Sequence, residues 1–131
     1  MITIIDANAA LELALGKPKK VKVAEVLQAS NWIAAPSLYL YEVANVMWKY
    51  YRSGSLEEPA VINIISDCGD LVNEYIPASA LFKEAATLAC KINHSAYDTA
   101  YLTACQLKDA GLLSFDIRLT AAAEELGIAV Y

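Results

Sequence analysis

Four acidic side chains stand where charge is otherwise scarce. Asp6 is the only charged side chain between Met1 and Leu11, and Glu42 is alone between Asn31 and Trp48. Asp98 is alone between Ile92 and Leu107, with only the neutral-leaning His94 nearby. Asp116 ends the apolar run Leu112 to Phe115, and Arg118 follows shortly after. Carboxylates in such surroundings tend to be partly buried, and burying an unpaired one costs on the order of several kcal/mol. Two of them about 4 Å apart repel by about 4 kcal/mol at an effective dielectric of about 20. Three or four gathered together would partly protonate unless a cation sat among them. Hard oxygen donors with no thiolate or His cluster suit Mg²⁺ or Mn²⁺.

Each acid also has a plainer reading. Asp6 and Asp116 precede helical patterns and would serve as N-caps, a role at which Asp excels. Asp116 has Arg118 as a ready ion-pair partner. Glu42 reads equally as a helix-surface residue, and Asp98 in a first turn favours the helix dipole whatever its chemistry. The conjunction is what points to function: all four fall in charge-poor windows, and the elements around them bring all four to one edge of a sheet.

Those elements follow from periodicity. Ile2 to Ile5, Trp32 to Ala35, Val72 to Ile76, Leu112 to Phe115 and Ile128 to Tyr131 are short apolar runs of strand length. Between them lie segments of helical period: Ala7 to Leu15, Lys20 to Ala29, a long helix opened by Pro36 and Ser37 (its N-cap) and running to Arg52, Leu56 to Asp70, Ala78 to Asn93, Tyr97 to Ala110 closed by Gly111 at C′, and Arg118 to Leu126 closed by Gly127. Strands apolar on both faces and separated by helices imply a parallel sheet covered on both sides. The expected class is α/β, a three-layer sandwich of about five mostly parallel strands, forming one domain over residues 1–131. Asp6 and Asp116 each follow a strand, at the carboxyl edge where open α/β sheets bind ligands. Asp98 opens its helix, and Glu42 lies one turn into a helix leaving that same edge.

With 57% apolar and 19% charged residues, the chain is far from the disordered regime. No uninterrupted apolar run approaches the roughly 18–20 residues of a membrane span. The opening MITIID has no basic leader, so no signal peptide is expected, and Cys68, Cys90 and Cys105 read as reduced thiols of a cytoplasmic protein. The net charge of −5 argues against broad adhesion to nucleic acid or anionic membrane. Lys17, Lys19, Lys20 and Lys22 form one local cluster and Lys49 with Arg52 another, either of which could track a phosphate backbone or simply be solvated.

The motifs resemble the PIN-domain family, specifically its small stand-alone VapC-like toxins, nearly end to end. ITIIDANAALEL looks like the first motif, with Asp6, Ala7 and Asn8. APSLYLYEVANVMWKYYRSGSL is similar to the second, with Glu42 and then Asn45 on the next turn. HSAYDTAYLTAC resembles the third, giving Asp98, and LLSFDIRL the last, with Ser114 and Asp116. Ala7, Ser114 and Phe115 depart mildly from the usual residues. The resemblance implies a sheet ordered 3-2-1-4-5 and Mg²⁺ or Mn²⁺ held by Asp6, Asp98, Glu42 and Asp116. Asn8 and Ser114 would hydrogen-bond around that set. It implies a metal-dependent endoribonuclease acting on RNA, a cognate antitoxin and a homodimer. An RNA-processing nuclease outside a toxin system, or a catalytically silent interaction module, is the alternative.

Other constellations carry less. Cys90, His94 and Asp98 fall at i, i+4 and i+8, but Asn93 to Ser95 looks like a helix break and a zinc site would still lack ligands. A phospho-accepting receiver domain would want paired acids after the first strand and a late Lys, yet Asp6 stands single and no Lys follows Lys108. Tyr39, Tyr41, Tyr50, Tyr51, Tyr97 and Tyr101 could stack on bases, though their near-helical spacing favours packing. Trp48 and Tyr51 are candidate dimer or antitoxin contacts.

Overall fold

The computed structural model describes residues 1–131. The elements run β1 (Ile2–Ile5), α1 (Ala7–Ala14), α2 (Lys20–Ala29), β2 (Trp32–Pro36), α3 (Leu38–Arg52), α4 (Glu58–Asp70), β3 (Glu74–Ile76), α5 (Ala78–Ile92), α6 (Ala96–Lys108), β4 (Gly111–Leu113) and α7 (Ile117–Glu125). The four strands form one parallel sheet in the order β3-β2-β1-β4. Successive side chains on a strand point to opposite faces. Ile4 and Ile5 on β1, Ala34 and Ala35 on β2, and Leu112 and Leu113 on β4 are all fully buried, so both faces are covered. Helix α6 lies against β1, β2 and β4, and every residue from Thr99 to Cys105 is buried.

The expected fifth strand is reduced to a single parallel bridge between Val130 and Leu112. Two hydrogen bonds hold it, from Leu112 N–H to the Ala129 carbonyl at 2.8 Å and from Tyr131 N–H to the Leu112 carbonyl at 3.0 Å. The segment sits beside β4, where the order 3-2-1-4-5 puts it, but β4 is too short to offer more pairing.

β3 is also shorter than expected because Asn73 substitutes its amide for the ladder. Its Oδ1 accepts from Ile33 N–H at 2.8 Å while its own N–H donates to the Ile33 carbonyl at 2.8 Å. Asn side chains compete with the sheet in this way.

Helix ends bring two corrections. Ser37 has helical backbone angles and no capping hydrogen bond from its side chain, its N–H instead reaching the Ile76 carbonyl at 2.9 Å. Gly111 is not the C′ residue of α6; Asp109 takes the left-handed conformation, φ 49°, and Gly111 begins β4. There the ring of Tyr131 packs so close that a Cβ on residue 111 would lie 2.4 Å from it. The glycine is required by a neighbour's ring rather than by a helix end.

Candidate active site

The carboxyl edge of the sheet is where the predicted acids arrive. β1 pairs with β4 so that Ile5 faces Leu113, and the Asp6 N–H continues the ladder to the Leu113 carbonyl at 3.2 Å. Asp6 and Ser114, the next residues on the two strands, are therefore neighbours. Asp6 is 6% exposed and Ser114 3%. The Asp6 Oδ1 accepts from the Ala9 N–H at 2.8 Å, capping α1, and the Ser114 hydroxyl lies beside the same carboxylate. Ser114 Oγ also accepts from the Asp116 N–H at 3.1 Å, which turns the chain out of β4. Asp116 then caps α7, its Oδ1 accepting from the N–H groups of Arg118 at 3.0 Å and Leu119 at 3.1 Å. The N-cap reading of both aspartates is thus correct, and it does not compete with the site: capping fixes one oxygen of each carboxylate near the cavity.

Glu42 projects from the second turn of α3 and is half-buried. Its Oε1 accepts from the Tyr101 hydroxyl at 2.6 Å, a bond between α3 and α6. Asp98, in the first turn of α6, is also half-buried; its N–H donates to Ser95 Oγ at 3.2 Å. Asp6, Glu42, Asp98 and Asp116 line one cavity of about 190 Å³ together with Asn8, Asn45 and Tyr101. Ala7, Val46 and Leu119 complete the walls, and no Lys, Arg or His is among the lining residues.

The electrostatics reflect that composition. Burial pushes the Asp6 carboxyl up to about 6, opposed by the hydrogen bonds from Ser114 and Ala9 and reinforced by the charges of Glu42 and Asp116. Glu42 is raised by burial, held back by the Tyr101 hydroxyl and raised further by Asp98. Tyr101 itself is driven far above the usual phenol range by burial and by Glu42, so its hydroxyl stays a donor. Asp6 and Glu42 are therefore both disfavoured by neighbouring acids, and no basic side chain lines the cavity to answer them. Arg118 does not answer them either: its guanidinium donates to the Asn93 carbonyl at 2.9 Å, and it forms no ion pair with Asp116.

The donor set is carboxylate and amide oxygen, with no thiolate, which fits a hard divalent cation. The acids ring the cavity without closing on a point, and no three His, Cys, Asp or Glu side chains form a ready-made metal cage anywhere in the chain. That disposes of the Cys90–His94–Asp98 arrangement as well; Cys90 is exposed and a helix end separates it from the other two.

Two lining residues are not singled out by charge: helical spacing assigns Tyr101 to packing, and Asn45 has no role beyond its motif. Spacing does mark both, since Asn45 is one turn beyond Glu42 and Tyr101 one turn beyond Asp98, on the helix faces that look into the cavity. The remaining tyrosines divide as packing predicts only in part. Tyr39 is fully buried and bonded to the Cys68 carbonyl at 2.7 Å, whereas Tyr41, Tyr51 and Tyr97 are exposed.

Residues 3–125 match the family model of the PIN domain, and the chain belongs to the PIN-domain family. It is 27% identical over 124 residues to Ribonuclease VapC3 of Pyrobaculum aerophilum, the match covering 91% of this chain and 92% of that protein. Among solved structures it resembles PAE2754 of the same organism, with a TM-score of 0.75 and 22% identity over 99% of this chain and 83% of that one. VapBC2 of Rickettsia felis, solved bound to a promoter DNA fragment, gives 0.69 and 15% over 100% and 98%. VapC20 of Mycobacterium tuberculosis, a toxin that cleaves the sarcin-ricin loop, gives 0.69 and 16% over 92% and 94%. At these identities the structural matches establish the fold.

Proposed function

We propose that this chain is a metal-dependent endoribonuclease and the toxin of a type II toxin–antitoxin pair. The observation that carries the reading is the cavity walled by Asp6, Glu42, Asp98 and Asp116 with no basic side chain to neutralise them. The names of its relatives, a ribonuclease and a loop-cleaving toxin, support the same reaction class. Asp6, Asp98, Glu42 and Asp116 would hold Mg²⁺ or Mn²⁺, which when bound supplies positive charge to a phosphodiester and promotes attack of water on phosphorus. The chain's own part is to keep the acids aimed. Ser114 and the Ala9 N–H hold Asp6, Tyr101 holds Glu42, and two N–H groups of α7 hold Asp116. Asn8 and Asn45 are exposed at the mouth, where their amides offer hydrogen bonds to phosphate or ribose without adding charge.

RNA must approach against a net charge of −5. Lys19 lies with its Nζ 4.5 Å from the ring centre of Phe115, which adjoins Asp116, and Lys17 lies 6.0 Å over Tyr50 on the helix that carries Glu42. These two cations border the elements of the site and suit the flanking phosphates.

The reading extends to a single domain, a cytoplasmic protein, a homodimer and a cognate antitoxin, the last supported by the VapBC2 assembly. No helix is long and apolar enough to cross a membrane. Trp48 and Tyr51 on α3, 47% and 53% exposed, are candidate contacts for such partners.

Purified protein incubated with structured RNA tests the chemistry. Cleavage is expected with Mg²⁺ or Mn²⁺ and not with EDTA, and Asp6→Asn and Asp98→Asn should abolish it. Activity that survives EDTA or both substitutions sinks the mechanism. Expression of the chain alone should arrest growth; active protein that leaves growth unaffected would point to RNA processing instead. Light scattering should give twice the 14.2 kDa chain mass.

A further inference from the structure

Three of the four acids have a carboxylate oxygen held by a donor: Asp6 by Ala9, Glu42 by Tyr101, and Asp116 by Arg118 and Leu119. The Asp98 carboxylate accepts no hydrogen bond. Facing it is His94, whose Nδ1 lies 3.7 Å from Asp98 Oδ2. The His94 side chain is only 10% exposed, and its Nδ1 is buried with no hydrogen-bond partner. A buried polar atom left unpaired destabilises the fold, so one that persists opposite the single unheld acid calls for a reason.

The backbone explains why the pair stands slightly apart. Asn93 ends α5 in the left-handed conformation, φ 57°, and Ser95 caps α6, so His94 is fixed in the two-helix corner. Arg118 clamps that corner through the Asn93 carbonyl at 2.9 Å. The Asp98 side chain, 37% exposed, has no hydrogen bond to hold it, whereas the backbone on either side of His94 is fixed at this corner. At 3.7 Å the pair stands just outside the roughly 2.7–3.2 Å of a hydrogen bond.

We propose that His94 is a positioning residue: its Nδ1–H engages Asp98 when the site is loaded and aims that carboxylate at the divalent ion. The inference rests on the metal-site reading above. The partner of a ligand fixes its orientation, and loss of such a partner typically weakens ion binding by about 10- to 100-fold. It also fixes the imidazole tautomer, with the proton on Nδ1.

Titration calorimetry with Mn²⁺ on the full chain tests this with wild type, His94→Leu, His94→Asn and Asp98→Asn. Leu preserves the apolar contacts of the ring but removes the donor, and Asn returns an N–H near the Nδ1 position. Roughly tenfold weaker binding is expected for His94→Leu, with His94→Asn recovering most of it. Equal affinity in wild type and His94→Leu, while Asp98→Asn binds poorly, overturns the role of His94 and leaves the site intact. Unchanged Mn²⁺ binding in Asp98→Asn overturns both. Imidazole ¹⁵N shifts of the Mg²⁺-loaded wild-type protein give a reading that does not depend on how any variant folds. A proton on Nδ1 is expected, and a proton on Nε2 alone overturns the proposal.

Discussion

The Tyr101 hydroxyl shows how much a single buried donor can contribute. Its bond to Glu42 at 2.6 Å crosses from α6 to α3, and the phenol is too buried to ionise in any ordinary range. Tyr101→Phe keeps the ring in the core, so the fold should survive while Glu42 loses its support. Cleavage of RNA is expected to fall about tenfold; single-turnover rates at saturating Mg²⁺ check it. Asp6 makes a sharper case. Its carboxyl is pushed from 3.8 to about 6, so the folded chain holds a proton over a range in which the unfolded chain has released it. The stability linked to Asp6 is therefore fully present below pH 3.8 and is lost as pH rises through about 6. At about 1.4 kcal/mol per unit, the loss is on the order of 3 kcal/mol in metal-free protein. Asp6→Asn removes that slope and, because Asn accepts the Ala9 N–H equally well, should melt higher than wild type at neutral pH. Urea titrations at pH 4 to 7 in EDTA decide this; a wild-type slope retained by the variant would refute it. At this scale the sequence was legible where charge was rare, which is why the four acids stood out. Tyr101 was hidden because a tyrosine at helical spacing looks the same whether its hydroxyl meets solvent or a carboxylate.

Elements were legible where period and length agreed. The seven helices and the strands β1, β2 and β4 fall within a few residues of their periodic runs. The misses are places where one side chain overrides local preference. Asn73 trades ladder pairing for its own amide, Ser114 ends β4 by taking the Asp116 N–H, and Gly111 serves the Tyr131 ring. None of these depends on periodicity, so none could be read from it. Gly111→Ala tests the last. A methyl 2.4 Å from the ring must displace Tyr131 and loosen the bridge of Val130 to Leu112. A loss of about 1–3 kcal/mol is expected from such overpacking, read by chemical denaturation. Gly111→Ala combined with Tyr131→Ala should recover part of it, because the clash is pairwise.

Across the whole molecule the cavity is an electrostatic cost borne by the folded state. Asp6 and Glu42 are both raised by burial and by neighbouring acids. A divalent ion that binds only the folded chain stabilises it by about 2.7 kcal/mol at a hundredfold excess over its Kd. That corresponds to a rise in Tm of roughly 10 °C for a chain of this size. Thermal melts with Mg²⁺ or Mn²⁺, against NaCl at equal ionic strength, measure it. Asp98→Asn should flatten the response, and an equal response to NaCl would reduce the effect to screening. Class and strand order were readable from the resemblance and the alternation of elements. The convergence of the acids on one sheet edge followed from the same elements, whereas the Tyr101–Glu42 bond between α6 and α3 did not, because no local pattern encodes it.

Two of the acids do double service, since Asp6 and Asp116 start the helices α1 and α7 as well as facing the cavity. Asn caps a helix about as well as Asp. A descendant carrying the substitution Asp6→Asn would thus keep its shape and its core while discarding that charge. Selection against the chemistry would meet no resistance from folding, and disarmed copies of this scaffold should arise readily by single substitution. Such copies are to be sought among relatives by asparagine at the cap positions, with the glutamate and Ser114 still in place.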